Sequence, residues 1–133
     1  MEIAGPNYLA VLIAAVAAFA FGSVWYGTLA KPWMKAAKKT PEDANMSPVL
    51  FVITFVADLV MAWVLASVLA HMGVVTISGA IMTAVLLWLG FMATTVTVNQ
   101  RYQGFGWDLT IIDAGHWLGV AIVMGAVLGW VAG

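Results

Sequence analysis

Apolar residues fill four stretches of the chain almost without interruption, at 7–30, 48–72, 77–100 and 108–132, and polar residues collect in the gaps between them. Each stretch is long enough to cross the hydrocarbon core of a bilayer as a helix, which takes roughly 20 residues. None alternates polar with apolar positions as a barrel strand would. Lipid cannot satisfy the backbone of an open strand either, so helix is the expectation for all four. The starts agree. Asn7 follows Pro6, Ser47-Pro48 has the order of an N-cap and a first-turn proline, and Asp108 stands where it can cap the fourth helix.

The gaps set an orientation. The loop at 31–47 holds Lys31, Lys35, Lys38 and Lys39, the turn "GVVT" at 73–76 holds no charge, and "RYQGFGW" at 101–107 holds Arg101. All five basic residues therefore fall in the first and third connections, which lie on one side of a four-span protein. The positive-inside rule puts that side in the cytoplasm and both termini outside. Trp25, Tyr26, Trp33, Tyr102 and Trp107 are expected at the cytoplasmic interface, where amphipathic rings are favoured. "KPWMKAAKK" reads as a positive-inside anchor, with a short interfacial helix as the alternative. The first apolar run is too long, and its N-terminal side too poor in Lys and Arg, for a secretory signal; a retained helix is expected.

Composition closes off other classes. The chain has 133 residues, 64% hydrophobic and 8% charged, with a mean hydropathy of +1.02. A soluble domain has about a quarter of its residues charged. One transmembrane domain over 1–133, in the bacterial cytoplasmic (inner) membrane with the lipid bilayer as its surroundings, is the reading. With no cysteine and a net charge of −1, thiolate chemistry is excluded and nucleic acid is not an expected partner.

Helices in lipid associate through small residues that let backbones approach. Ala10, Ala14, Ala18 and Gly22 recur every fourth residue in the first stretch; Ala121, Gly125, Gly129 and Gly133 do so in the fourth, with Gly115 and Gly119 before them. Packing inside one chain is the simpler use of these ridges. A unit this small still turns much of its surface outward, so a homo-oligomer or a larger membrane complex is expected.

Ionisable residues inside apolar helices are costly and therefore candidate sites. Asp58, Asp113 and His116 qualify. From the rise per residue they lie ~15, ~8 and ~12 Å from the cytoplasmic ends of their helices. Tyr26, Thr95 and Asn99 stand at comparable or shallower depth, so the polar groups gather in the cytoplasmic half. Asp113 and His116 are three residues apart and share a helix face, and Arg101 is within reach of Asp108 or Asp113. Three uses are open: a hydrogen-bonded lock between helices, a proton-, solute- or cation-linked site, and a metal site, for which the spacing matches no ligand motif. No metallopeptidase, nucleophile-elbow or phosphate-loop motif occurs, and the chain is not expected to be an enzyme or to carry a cofactor.

Taken together, "NYLAVLIAAVAAFAFGSVWYG" followed by "KPWMKA", "GFMATTVTVNQ", and "IIDAGHWLGVAIVMGAVLG" resemble DUF1761, a family of small bacterial membrane proteins of undefined role. The resemblance spans nearly the whole chain. It implies an all-α, four-helix membrane bundle and supplies no substrate. It makes Trp25, Tyr26, Trp33, Asn99, Asp113 and Gly115 family-like positions. It also implies that Tyr is common where His116 stands and that Asp58 is not a hallmark, which favours a structural use of the Asp58–Asp113–His116 set. The expected function is a small-solute, proton or cation site; the alternative is an accessory subunit packing against a larger membrane complex.

Overall fold

The computed structural model describes residues 6–43 and 47–132, so Gly133 and residues 44–46 of the first connection lie outside the described part. Among the described residues all regular structure is helical: α1 (Tyr8–Thr28), α2 (Ala30–Ala36), α3 (Pro48–Met72), α4 (Ile77–Tyr102) and α5 (Trp107–Ala132). Helices α1, α3, α4 and α5 are long and apolar enough to cross a membrane.

The ends follow local chemistry. The Asn7 side chain accepts from the amides of Leu9 and Ala10 at 3.1 and 3.2 Å, and Ser47 accepts from Val49 at 3.1 Å ahead of Pro48. These oxygens satisfy amides that the first helical turn leaves without a partner. Gly73 closes α3 in the left-handed conformation, φ 70°, which glycine adopts without a side-chain clash. Thr76 then caps α4 through a 3.0 Å bond from Gly79. Two boundaries differ from expectation. The first long helix stops at Thr28 rather than running to residue 30, because Pro32 has no amide proton and its ring crowds the carbonyl four residues earlier. Helix α5 begins at Trp107, so Asp108 lies inside its first turn and is not the cap.

Helices α1 and α5 form the centre. Helix α3 packs on α1, α4 packs on α5, and α3 and α4 share almost no contacts. The four long helices are thus arranged in the order α3, α1, α5, α4, with a gap between the outer two. Ala10, Ala14 and Ala18 are buried against the α3 and α5 faces that carry Ala62, Val120 and Met124. Leu9, Val52, Leu86 and Ile111 stand exposed on the outward faces, an apolar surface that hydrocarbon would solvate without cost.

The glycines of α5 serve two different neighbours. A Cβ on Gly125 would lie 3.0 Å from the Ala80 carbonyl, and one on Gly129 would lie 2.8 Å from the Ile77 Cα and the Thr76 carbonyl. There the backbones of α4 and α5 meet. A Cβ on Gly115 would instead lie 3.1 Å from the Trp25 indole, and one on Gly119 would strike the Phe21 ring. Those two make room for aromatic side chains of α1. The packing glycines and alanines named from sequence that fall among the described residues are thus engaged within one chain; Gly133 lies outside the described residues.

Helix α4 widens into a π-helical turn at Trp88–Ala93. The hydroxyls of Thr94, Thr95 and Thr97 bond back to the carbonyls of Gly90, Phe91 and Ala93 at 2.9, 2.7 and 2.6 Å. Threonine lends itself to this four-residue back-bonding, and a wide turn gives it carbonyls in need of donors.

Candidate functional site

Both basic connections lie at the same end of the helices. Lys38 Nζ donates to the Gly104 carbonyl at 3.3 Å and sits 5.7 Å from the Phe105 ring centre, bridging the first connection to the third. The polar side chains named from sequence gather in this basic half.

Asp113 on α5 is the hub. Its Oδ1 accepts from the Tyr26 hydroxyl at 2.8 Å and from Trp33 Nε1 at 3.2 Å, and its Oδ2 accepts from Gln100 Nε2 at 2.8 Å. The three donors come from α1, α2 and α4, so one carboxyl group ties three helices to a fourth. The short helix α2 carries Trp33 back over the polar cluster, where its ring meets Tyr26 edge-on at 6.3 Å.

The network continues toward the basic end. Thr110 Oγ1 donates to Gln100 Oε1 at 2.7 Å. Arg101 Nη2 donates to Thr110 Oγ1 at 2.7 Å and to the carbonyls of Phe105 and Gly106 at 3.0 and 2.8 Å. Its guanidinium lies 4.0 Å over the Trp107 ring. Arg101 reaches neither Asp108 nor Asp113; it folds over its own connection, where Nη2 alone meets all three acceptors while Nε and Nη1 are buried without a hydrogen-bond partner. Two further indoles fasten α5 from either side. Trp25 Nε1 donates to the Ile112 carbonyl at 3.0 Å, and Trp88 Nε1 donates to the Ala114 carbonyl at 2.9 Å.

His116 and Asp58 behave differently from Asp113. His116 is 5% exposed, stands 4.8 Å from the Tyr26 ring and 4.5 Å from the Trp117 ring, and has no hydrogen-bond partner at Nδ1. Its Nε2 lies over Gly22, where a Cβ would be only 2.7 Å away. Asp58 is 1% exposed, and its Oδ1 has no partner. Both side chains line one hollow of about 580 Å³ between α1, α3 and α5. A second hollow of about 730 Å³, lined by Trp33, Gln100 and Asp113, shares Tyr26, Thr54 and Trp117 with the first. The polar half is therefore incompletely filled. Among the described residues no three His, Cys, Asp or Glu side chains come together as a metal site.

Of the residues named from sequence, Tyr26 and Asp113 are bonded to each other, and Asp58 and His116 face a shared hollow. Thr95 and Asn99 are not in the cluster; both are exposed, and the Thr95 hydroxyl is spent on Phe91. The cause is the π turn. A regular helix continued from the buried Ala84 at about 3.6 residues per turn would return to the same face at Thr95 after three turns and next to Asn99 after four. One inserted residue moves each inward position along by one. Val96 and Gln100 take those places and line the 730 Å³ hollow. Gln100 and Thr110 were not singled out by the pattern of the sequence, and Trp33 was named only as an interface ring and a family-like position, not as a partner of Asp113. Only the polarity of Gln100 next to Asn99 pointed to its part of the helix.

The family model described as "Protein of unknown function (DUF1761)" matches residues 9–129. The chain belongs to DUF1761. No curated protein and no solved structure matches it. The matched range takes in every residue of the DUF1761 chain's polar cluster, from Tyr26 to His116.

Proposed function

We propose that this DUF1761 protein is a multi-pass protein of the bacterial cytoplasmic membrane, basic end inward and both termini outward. In this reading its inner half holds a small solute or cation. The observation that carries it is the pairing of two buried, unpartnered polar atoms, Asp58 Oδ1 and His116 Nδ1, on side chains that line one hollow of about 580 Å³. A polar group left without a hydrogen bond in an apolar setting is costly, and the cost falls away when water or a solute enters. Asp113 does something different. Its three donors make it the lock that holds the helices around the hollow, so the structural and the functional readings of the polar residues divide between them.

The test exploits the absence of cysteine from the chain. Ser23 lines the hollow, and Ser23→Cys should react with a membrane-impermeant thiol reagent from the cytoplasmic side of vesicles. Leu12→Cys, on an outward apolar face, should not. A Ser23→Cys protein that stays unlabelled from both sides would remove the solute site.

The gap between α3 and α4 favours a second reading, an accessory subunit or an oligomer. There Val64, Leu87, Phe91 and Met124 line an apolar cleft of about 310 Å³. A monomer that remains single at all protein densities in nanodiscs and co-purifies with no other membrane protein would leave that reading without support.

A further inference from the structure

We propose that the ligand of the hollow beside Asp58 is an organic ammonium ion. This rests on the solute-site reading above and adds the class of solute.

Most protons on the wall of the hollow are already committed. Ser23 Oγ donates to the Phe19 carbonyl at 3.0 Å, Thr54 Oγ1 donates to the Leu50 carbonyl at 2.8 Å, and the Tyr26 hydroxyl donates to Asp113 at 2.8 Å. A hydroxyl has a single proton and two lone pairs. All three line the hollow with their donors already spent, so they offer it acceptor capacity only. Asp58, 1% exposed with Oδ1 unpartnered, adds a further acceptor. The side-chain donors left on the described wall are the Trp117 indole N–H and the imidazole proton of His116. Among the described residues no lysine or arginine lines the hollow. A matching ligand therefore brings several donors of its own. An anion would bring more acceptors and set a like charge beside Asp58, which an apolar setting penalises heavily.

The walls decide between an inorganic and an organic cation. The rings of Phe19, Tyr26, Phe51 and Trp117 line the same space. Ring faces attract cations but supply no oxygen ligands, whereas a hard metal ion asks for six or more. The volume of about 580 Å³ belongs to the range of roughly 300–1,000 Å³ typical of small-molecule sites. A bare ion would leave most of it empty. An ammonium head against Asp58, with an apolar or aromatic body against the rings, uses both halves of the wall.

The probe is benzylammonium chloride, titrated calorimetrically into the full chain in nanodiscs, with benzyl alcohol and benzoate as uncharged and anionic counterparts. Benzylammonium should bind saturably, with the other two at least about tenfold weaker, equivalent to about 1.4 kcal/mol. Asp58→Asn keeps the shape and removes the charge, and it should abolish the preference. Thr54→Val, at a half-buried position near the helix start, removes one acceptor and should weaken binding about threefold; it gives a second readout if the Asp58 variant does not fold. Equal binding of benzyl alcohol, undiminished binding by Asp58→Asn, or no saturable binding of benzylammonium would each overturn the assignment. If Ser23→Cys still labels from the cytoplasmic side in that case, the solute site stands and the ammonium class falls. If Ser23→Cys does not label, both fall.

Discussion

Gly22 and His116 are a matched pair: the imidazole Nε2 occupies the space where a Cβ on Gly22 would stand, 2.7 Å away. The glycine looks from its four-residue spacing like part of a ridge for backbone approach, yet its neighbour is a side chain. Gly22→Ala is accordingly expected to destabilise the protein only while the imidazole is present. Overpacking costs about 1–3 kcal/mol, offset by about 0.5–1 kcal/mol from replacing glycine in a helix. In a His116→Ala background the same substitution should be neutral or stabilising. Unfolding in mixed micelles across the double-mutant cycle measures the difference; equal costs in both backgrounds would contradict the pairing.

Asp113 should be the most costly polar position to change. Asp113→Leu strands the donors of Tyr26, Trp33 and Gln100 together. Hydrogen bonds between membrane helices are worth about 0.6 kcal/mol each on average and up to about 1.7, so a loss of about 2–5 kcal/mol is expected. Tyr26→Phe alone should cost about 1 kcal/mol. Once Asp113 is gone, Tyr26→Phe should cost almost nothing, because the bond it removes no longer exists. An undiminished cost in that background would mean that the phenol acts through another partner.

The fold was legible because run length and caps are local properties: Asn7 and Ser47 do in space what their positions in the sequence suggest. Tyr26 and Asp113 were legible for a related reason, since a polar group in an apolar helix must find a partner. Gln100 was hidden by a single inserted residue in α4. Nothing in "WLGFMA" marks a wide turn, which depends on how Trp88 and the following threonines find hydrogen-bond partners in the assembled molecule. Trp33 was hidden because an interfacial tryptophan needs no partner to be at home. Its bond to Asp113 depends on the turn at Leu29, which Pro32 imposes.

Helices α4 and α5 should tolerate no side chain at Gly129. A Cβ there meets the backbone at the start of α4, at the Ile77 Cα and the Thr76 carbonyl, and backbone cannot rotate away as a side chain can. Gly129→Val is expected to cost about 1–3 kcal/mol or more. Gly27→Ala, with nothing within 4 Å of the added atom, should be neutral or mildly stabilising. Thermal unfolding of the two variants in one detergent compares them directly. Equal stability would show that α4 and α5 do not rely on this approach.

Orientation rests on charge, and the geometry makes the test sharp. Lys38 touches Gly104, so the lysines of the first connection and Arg101 of the third act at one end of the molecule, while the turn at 73–76 at the other end carries none. Near an anionic inner surface each such residue contributes about 1 kcal/mol, and residues close to helix ends set the topology. A C-terminal fusion to a reporter that fluoresces only in the cytoplasm should be dark, and one to a phosphatase that folds only outside should be active. Replacing Lys31, Lys35, Lys38 and Lys39 with Gln while placing two lysines in the 73–76 turn should reduce or reverse that preference. A bright cytoplasmic reporter on the unaltered chain would invert the orientation, and the hollow beside Asp58 would then open toward the outside.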